Sequence, residues 1–196
     1  MNKPNAGQPD PAETTGLNDS ADSPRDPAEV RQSQALLRQS VPCGPEGIEA
    51  MIPHRPPMRL LDEVVELTET EIRAQKTFSE DDFFVQGHFP GYPLVPGVIQ
   101  CECCLQAGAI LLRQHTPPVG DFVPVATRMD SVKFKNMVRP GDTVDIHVTL
   151  REQLANAFFL TGKMTLAGKT TTRLEFACSI APPRDATEAR NQGDQS

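Results

Sequence analysis

The chain has 196 residues, with 19 Lys and Arg against 26 Asp and Glu, a formal net charge of −7. That acidic balance argues against nucleic acid or an anionic membrane surface as a partner. No apolar run reaches the length of a transmembrane helix, so the expectation is a soluble protein, with residues 45–182 forming one domain large enough for a real core.

Residues 1–44 are dominated by Pro, Asp, Glu, Ser, Gln and Asn. They read as a disordered tail with one short helix over 28–39, and residues 183–196 as a second disordered tail. The N-terminal tail has no apolar stretch for secretion and carries six acidic residues before Arg31, so neither a secretory nor an organellar leader is supported. A short helix over 45–51 then precedes strands over 58–67 and 71–78, joined by the polar turn Thr68-Glu69-Thr70.

Pro90, Pro93 and Pro96 recur every third residue. Each fixes φ and removes an amide donor, so 88–96 is expected to run as an extended, rigid connector that holds His88. From Gly97 to residue 114 the chain is apolar or small almost all round, the pattern of a helix buried in a domain. A loop over 116–121 and four strands follow, over 122–134, 143–153, 158–167 and 170–180, the last two forming a hairpin through Ala167-Gly168-Lys169. One long helix among six strands implies an α+β domain in which an antiparallel sheet wraps round the helix.

Only Glu102 carries a charge in the body of that helix. A buried carboxylate without partners costs several kcal/mol, so it is paired, protonated or working. Val98, Glu102, Gln106 and Ala109 share a helix face, which lets Gln106 orient the Glu102 carboxyl one turn away. The first amides of the helix, at Gly97, lack intrahelical partners and can donate to an oxygen that gains negative charge. A held His, a carboxyl and a free helix end are the parts of an acid/base site. The other histidines have weaker claims: His54 is expected to hold the N-terminal segment, His115 to cap the helix and His147 to face solvent.

His88-Phe89-Pro90-Gly91-Tyr92-Pro93-Leu94-Val95-Pro96-Gly97-Val98, followed by Glu102 and Gln106, resembles the β-hydroxyacyl-acyl carrier protein dehydratases of type II fatty acid synthesis. Ile52-Pro53-His54-Arg55-Pro56 with Asp62 upstream, and Lys133-Phe134 with Val138-Arg139-Pro140-Gly141-Asp142 downstream, are similar to further motifs of that family in the same order. The resemblance covers residues 46–181. In Glu102-Cys103-Cys104-Leu105-Gln106 it departs at Cys103 and Leu105, where the family places alanine, and it departs at Tyr92, so acyl-chain preference does not carry over.

The resemblance implies a dimeric hot-dog fold and dehydration of (3R)-3-hydroxyacyl-acyl carrier protein to the trans-2-enoyl product in fatty acid or related lipid biosynthesis. By it, His88 is the base and Glu102 the acid, contributed by different subunits of a homodimer or trimer of dimers, with the Gly97 amide at the thioester oxygen. Phe83, Phe84, Phe89, Tyr92 and Val98 are candidates for the acyl pocket. Arg128, Lys133, Lys135 and Arg139 are candidates for docking the acidic carrier protein. A hot-dog acyl thioesterase and a non-catalytic acyl-binding protein are the alternatives.

The chemistry calls for no metal or redox cofactor. Cys101 and Cys103, two apart on a helix, point in nearly opposite directions and cannot share a tetrahedral ion. With Cys43, Cys104 and Cys178 they make an odd set of packed, reduced thiols, which suits the cytoplasm.

Overall fold

A computed structural model describes residues 27–115 and 123–181. The elements in chain order are α1 (Pro27–Gln39), α2 (Pro45–Met51), β1 (Glu63–Leu67), β2 (Glu71–Thr77), α3 (Gly97–Leu112) with a 3-10 turn (Arg113–His115), β3 (Val123–Phe134), β4 (Thr143–Leu154), β5 (Ala157–Leu166) and β6 (Lys169–Ala181). The six strands form one antiparallel sheet in the order β1-β2-β4-β5-β6-β3.

Period-2 alternation decides which face meets the helix. Val144, Ile146 and Val148 of β4, Phe158, Leu160 and Met164 of β5, and Leu174, Phe176 and Cys178 of β6 are all buried. They pack in one core with Cys103, Cys104, Ala107, Ile110 and Leu111 of α3. Each large side chain buried there contributes about 1.5–3 kcal/mol. The helix rides close to the sheet because Gly162 has no side chain: a Cβ there would stand 3.0 Å from Cys104 Cβ. No helix among the described residues is long and apolar enough to cross a membrane.

Several boundaries differ from the sequence expectation. β1 starts at Glu63 rather than residue 58. Pro56 and Pro57 supply no amides, and the amides of Met58 and Arg59 both turn back to Arg55 O. The helix tightens into a 3-10 turn after Leu112. Its end is not capped by His115, whose Nε2 instead lies 3.0 Å from Glu69 O.

Residues 27–44, assigned by composition to the tail, carry α1 and a bridge between Cys43 and Val64. Leu37, Val41 and Cys43 pack on the core, and Gln34 donates to Gln114 O at 2.8 Å, which ties this segment to the end of the central helix. The disorder expected for 1–26 and 183–196 and the loop expected at 116–121 lie outside the described residues.

Candidate active site

The His88 segment is not the extended connector its prolines suggest. Gly87 and Gly91, at φ +98° and +75°, take the left-handed conformation open to glycine and turn the chain twice. His88 N donates to Val85 O (3.0 Å), Phe89 and Tyr92 exchange backbone bonds, and Leu94 N returns to His88 O (2.9 Å). His88 is still held, by a closed set of turns instead of a straight rod.

The side chain is fixed as well. His88 Nδ1 lies 3.1 Å from Leu94 O, and its ring stacks on Phe89 with centroids 4.2 Å apart. A carbonyl only accepts, so Nδ1 carries a proton, and in the neutral ring Nε2 is then the nitrogen with the lone pair. This is the tautomer a general base needs.

His88 borders a cavity of about 470 Å³ that also takes in Pro96, Gly97, Val98, Phe134, Lys135 and Met137. The cavity opens at the start of α3, where the first amides have no intrahelical acceptor. Val95 N donates to Val138 O at 2.9 Å and anchors this end of the helix to the segment after β3.

Glu102 lies elsewhere. It is not part of that lining, and its side chain is 25% exposed rather than sealed in the core. Gln106, 1% exposed, holds it: Nε2 donates to Glu102 Oε1 (2.9 Å) and to Met58 O (2.7 Å), while Oε1 accepts from Leu60 N (2.9 Å). All three bonds act at once, so the amide cannot turn over without losing them, and Glu102 Oε1 is held in place.

His54, assigned from sequence to a structural role, stands with its Nε2 3.7 Å from Glu102 Oε1 and a buried Nδ1 that has no hydrogen-bond partner among the described residues. Its place in the Ile52-Pro53-His54-Arg55 motif was the available signal, but the contact spans 48 positions of sequence.

Of the residues expected in the acyl pocket, Val98 lines the His88 cavity. Phe84 packs edge-on to Phe78 and Phe83, and Phe83, Phe89 and Tyr92 are exposed. The four basic residues expected to dock a carrier do not form one patch. Arg128 pairs with Asp130 at 2.6 Å, and Arg139 lies over the Tyr92 ring and donates to its hydroxyl at 2.6 Å. Lys133 and Lys135 line a second cavity, on the outer face of the sheet, and Lys135 borders the His88 cavity as well. The cysteines are free thiols, and burial pushes Cys101, Cys103, Cys104 and Cys178 above the ordinary thiol range.

Residues 52–175 match the family model described as the FabA-like domain. The 3-hydroxyacyl-acyl-carrier-protein dehydratase FabZ of Petrotoga mobilis is 37% identical over 135 residues, 69% of this chain and 96% of the relative. The FabZ of Oenococcus oeni is 47% identical over 104 residues, 53% of this chain and 74% of the relative. Among solved structures, the dehydratase heterocomplex ApeI:P from Xenorhabdus doucetiae superposes with a TM-score of 0.61 at 19% identity, covering 76% of this chain and 97% of that one. A hot-dog-like protein from Thermanaerovibrio acidaminovorans superposes at 0.52 with 20% identity, covering 65% and 91%.

Proposed function

The chain belongs to the FabA-like domain family, and from that premise we propose that it is a hydro-lyase that removes water from 3-hydroxyacyl-acyl carrier protein, in fatty acid or related lipid biosynthesis, at a site shared by two subunits. His88 Nε2 takes the proton from the carbon next to the thioester. The electron pair forms the carbon–carbon double bond, the bond to the 3-hydroxyl breaks, and Glu102 protonates that hydroxyl as it leaves as water. The Gly97 amide stabilises the negative charge that develops on the thioester oxygen. Proton return from His88 to Glu102 closes the cycle.

The observation that carries this reading is the division of the site. His88 is tautomer-fixed in a cavity with Gly97, and Glu102 is oriented by Gln106 outside that cavity. A partner subunit is what joins them. β3 supports a homodimer, because it ends the sheet with one edge unpaired among the described residues and exposes Val125, Met129 and Phe134. Lys135 lines the His88 cavity and supports docking of the acidic carrier at its mouth. The free thiols support a reducing compartment, the cytoplasm.

Turnover of a 3-hydroxyacyl-acyl carrier protein followed by mass spectrometry tests the reading. Loss of water by the wild type, abolished in His88→Ala and in Glu102→Gln, is expected. Release of free acid would make the protein a thioesterase, and binding without change would make it an acyl-binding module.

A further inference from the structure

The register of the sheet lines up a row of basic residues on its outer face. Arg73 of β2 is opposite His147 of β4, His147 opposite Lys163 of β5, Lys163 opposite Arg173 of β6, and Arg173 opposite Lys133 of β3. Five strands thus carry five basic side chains in one line, with rungs about 4.8 Å apart. Like charges directly opposite one another destabilise a sheet. A chain of net charge −7 has no general surplus of cations to explain the arrangement.

The two ends of the row differ. Arg73 has Glu66 at 3.5 Å and His147 has Glu71 at 3.3 Å. Lys163, Arg173 and Lys133 form no ion pair among the described residues, although Glu175 and Asp130 stand in the adjacent row. Over this unpaired end lies a concavity of about 530 Å³, also bordered by Lys135 and by Ser131, Thr149, Thr161 and Thr170. Among the described residues, four permanent cations line it against one carboxylate, that of Glu175.

The backbone is distorted to complete the row. Between Asp130 and Lys133, β3 holds one residue more than β6, and Ser131 sits in the left-handed region at φ 52°. Without the extra residue Val132 would face Arg173 and Lys133 would turn to the helix side. The bulge therefore creates a like-charge pair where an ordinary register would have placed an apolar neighbour.

We propose that this concavity is a binding site for a small molecule carrying two or more phosphate groups. Lysine and arginine supply charge-assisted bonds to phosphate oxygens, and the hydroxyls of Thr149 and Thr161, which bond to no group among the described residues, supply neutral donors. The hollow shape favours this occupant over an acidic helix, which at about 10–12 Å across would rest on the rim and leave the hydroxyls unused. The site lies on the face of the sheet opposite the α3 core, and its ligand is distinct from the acyl substrate.

The test is calorimetric titration of the full chain with inorganic tripolyphosphate, with orthophosphate and poly-glutamate as parallel arms. Expected is one tripolyphosphate per chain, weakened about ten-fold or more in each of Lys163→Gln and Arg173→Gln, and unchanged in Lys169→Gln at the exposed hairpin turn. Both site variants should retain wild-type dehydration, which separates this site from the catalytic reading. Absent binding, or equal binding in all variants, overturns the proposal. So does variant-sensitive binding of poly-glutamate with none of tripolyphosphate, which would assign the surface to an acidic polypeptide.

Discussion

The ring of Phe134 lies over Gly97 so closely that a Cβ on that glycine would stand 2.7 Å from its Cε1 and Cζ. Phe134 is 54% exposed, so the ring can swing aside. Gly97→Ala should therefore fold: the helix preference of Ala, worth up to about 1 kcal/mol, offsets much of the clash. The methyl group would nonetheless displace the wall of the cavity where the thioester oxygen is proposed to sit. A fall in kcat/KM of roughly ten-fold or more, with an unfolding midpoint close to wild type, is expected from steady-state kinetics and urea denaturation.

His88→Ala removes the proposed base but no core packing. Turnover should fall by about 10²–10⁴-fold while binding of an acyl carrier substrate persists. Stopped-time mass spectrometry of the thioester measures the first and calorimetry the second. Retention of more than a tenth of the activity would exclude His88 as the base.

Shared sites make a prediction about mixtures. His88→Ala and Glu102→Gln homodimers should each be inactive. After denaturation and refolding together, random pairing leaves roughly one quarter of the sites with both wild-type residues, and activity should return to about that fraction. No recovery from a properly refolded mixture would place both groups in one subunit.

Gln106 joins three partners from a position 1% exposed. Gln106→Leu keeps the volume but strands Leu60 N–H and Met58 O. A loss of about 2–4 kcal/mol in urea unfolding is expected, together with a loss of activity beyond what the destabilisation explains. Unchanged stability would mean that water replaces the amide.

Burial raises Cys178 from an ordinary value of 9.0 to about 11, and the fold keeps the thiol neutral. In the unfolded chain the thiol ionises near 9, so the folded state binds the proton more tightly. The stability this contributes is fully present below pH 9 and is lost as pH rises towards 11. Thermal melts across pH 8–11 should fall, and Cys178→Ala should show a shallower fall in that window.

Much of the fold was legible because burial writes itself into sequence period. Alternation in β4 and β5 and the apolar run of α3 are direct records of which atoms leave water. The parts of the proposed site stood out in the sequence, since His88 among prolines and Glu102 among apolar residues are both unusual placements. Its geometry was harder to read. Proline fixes φ at its own position but not the path between prolines, and the positive φ of Gly87 and Gly91 folded the connector into turns. The approach of His54 to Glu102 depends on how distant segments pack, which no local pattern records. The β3 bulge was hidden for a related reason, because an inserted residue breaks the period that identifies a face.

That inserted residue reaches further than the outer surface. The same register shift that sets Lys133 opposite Arg173 sets Phe134 opposite Thr172, on the helix side where its ring meets Gly97. Removing one residue at Ser131–Val132 would turn both side chains over at once. Evolution therefore cannot trade these two features separately by point substitution at the bulge. They are gained or lost together, by insertion or deletion.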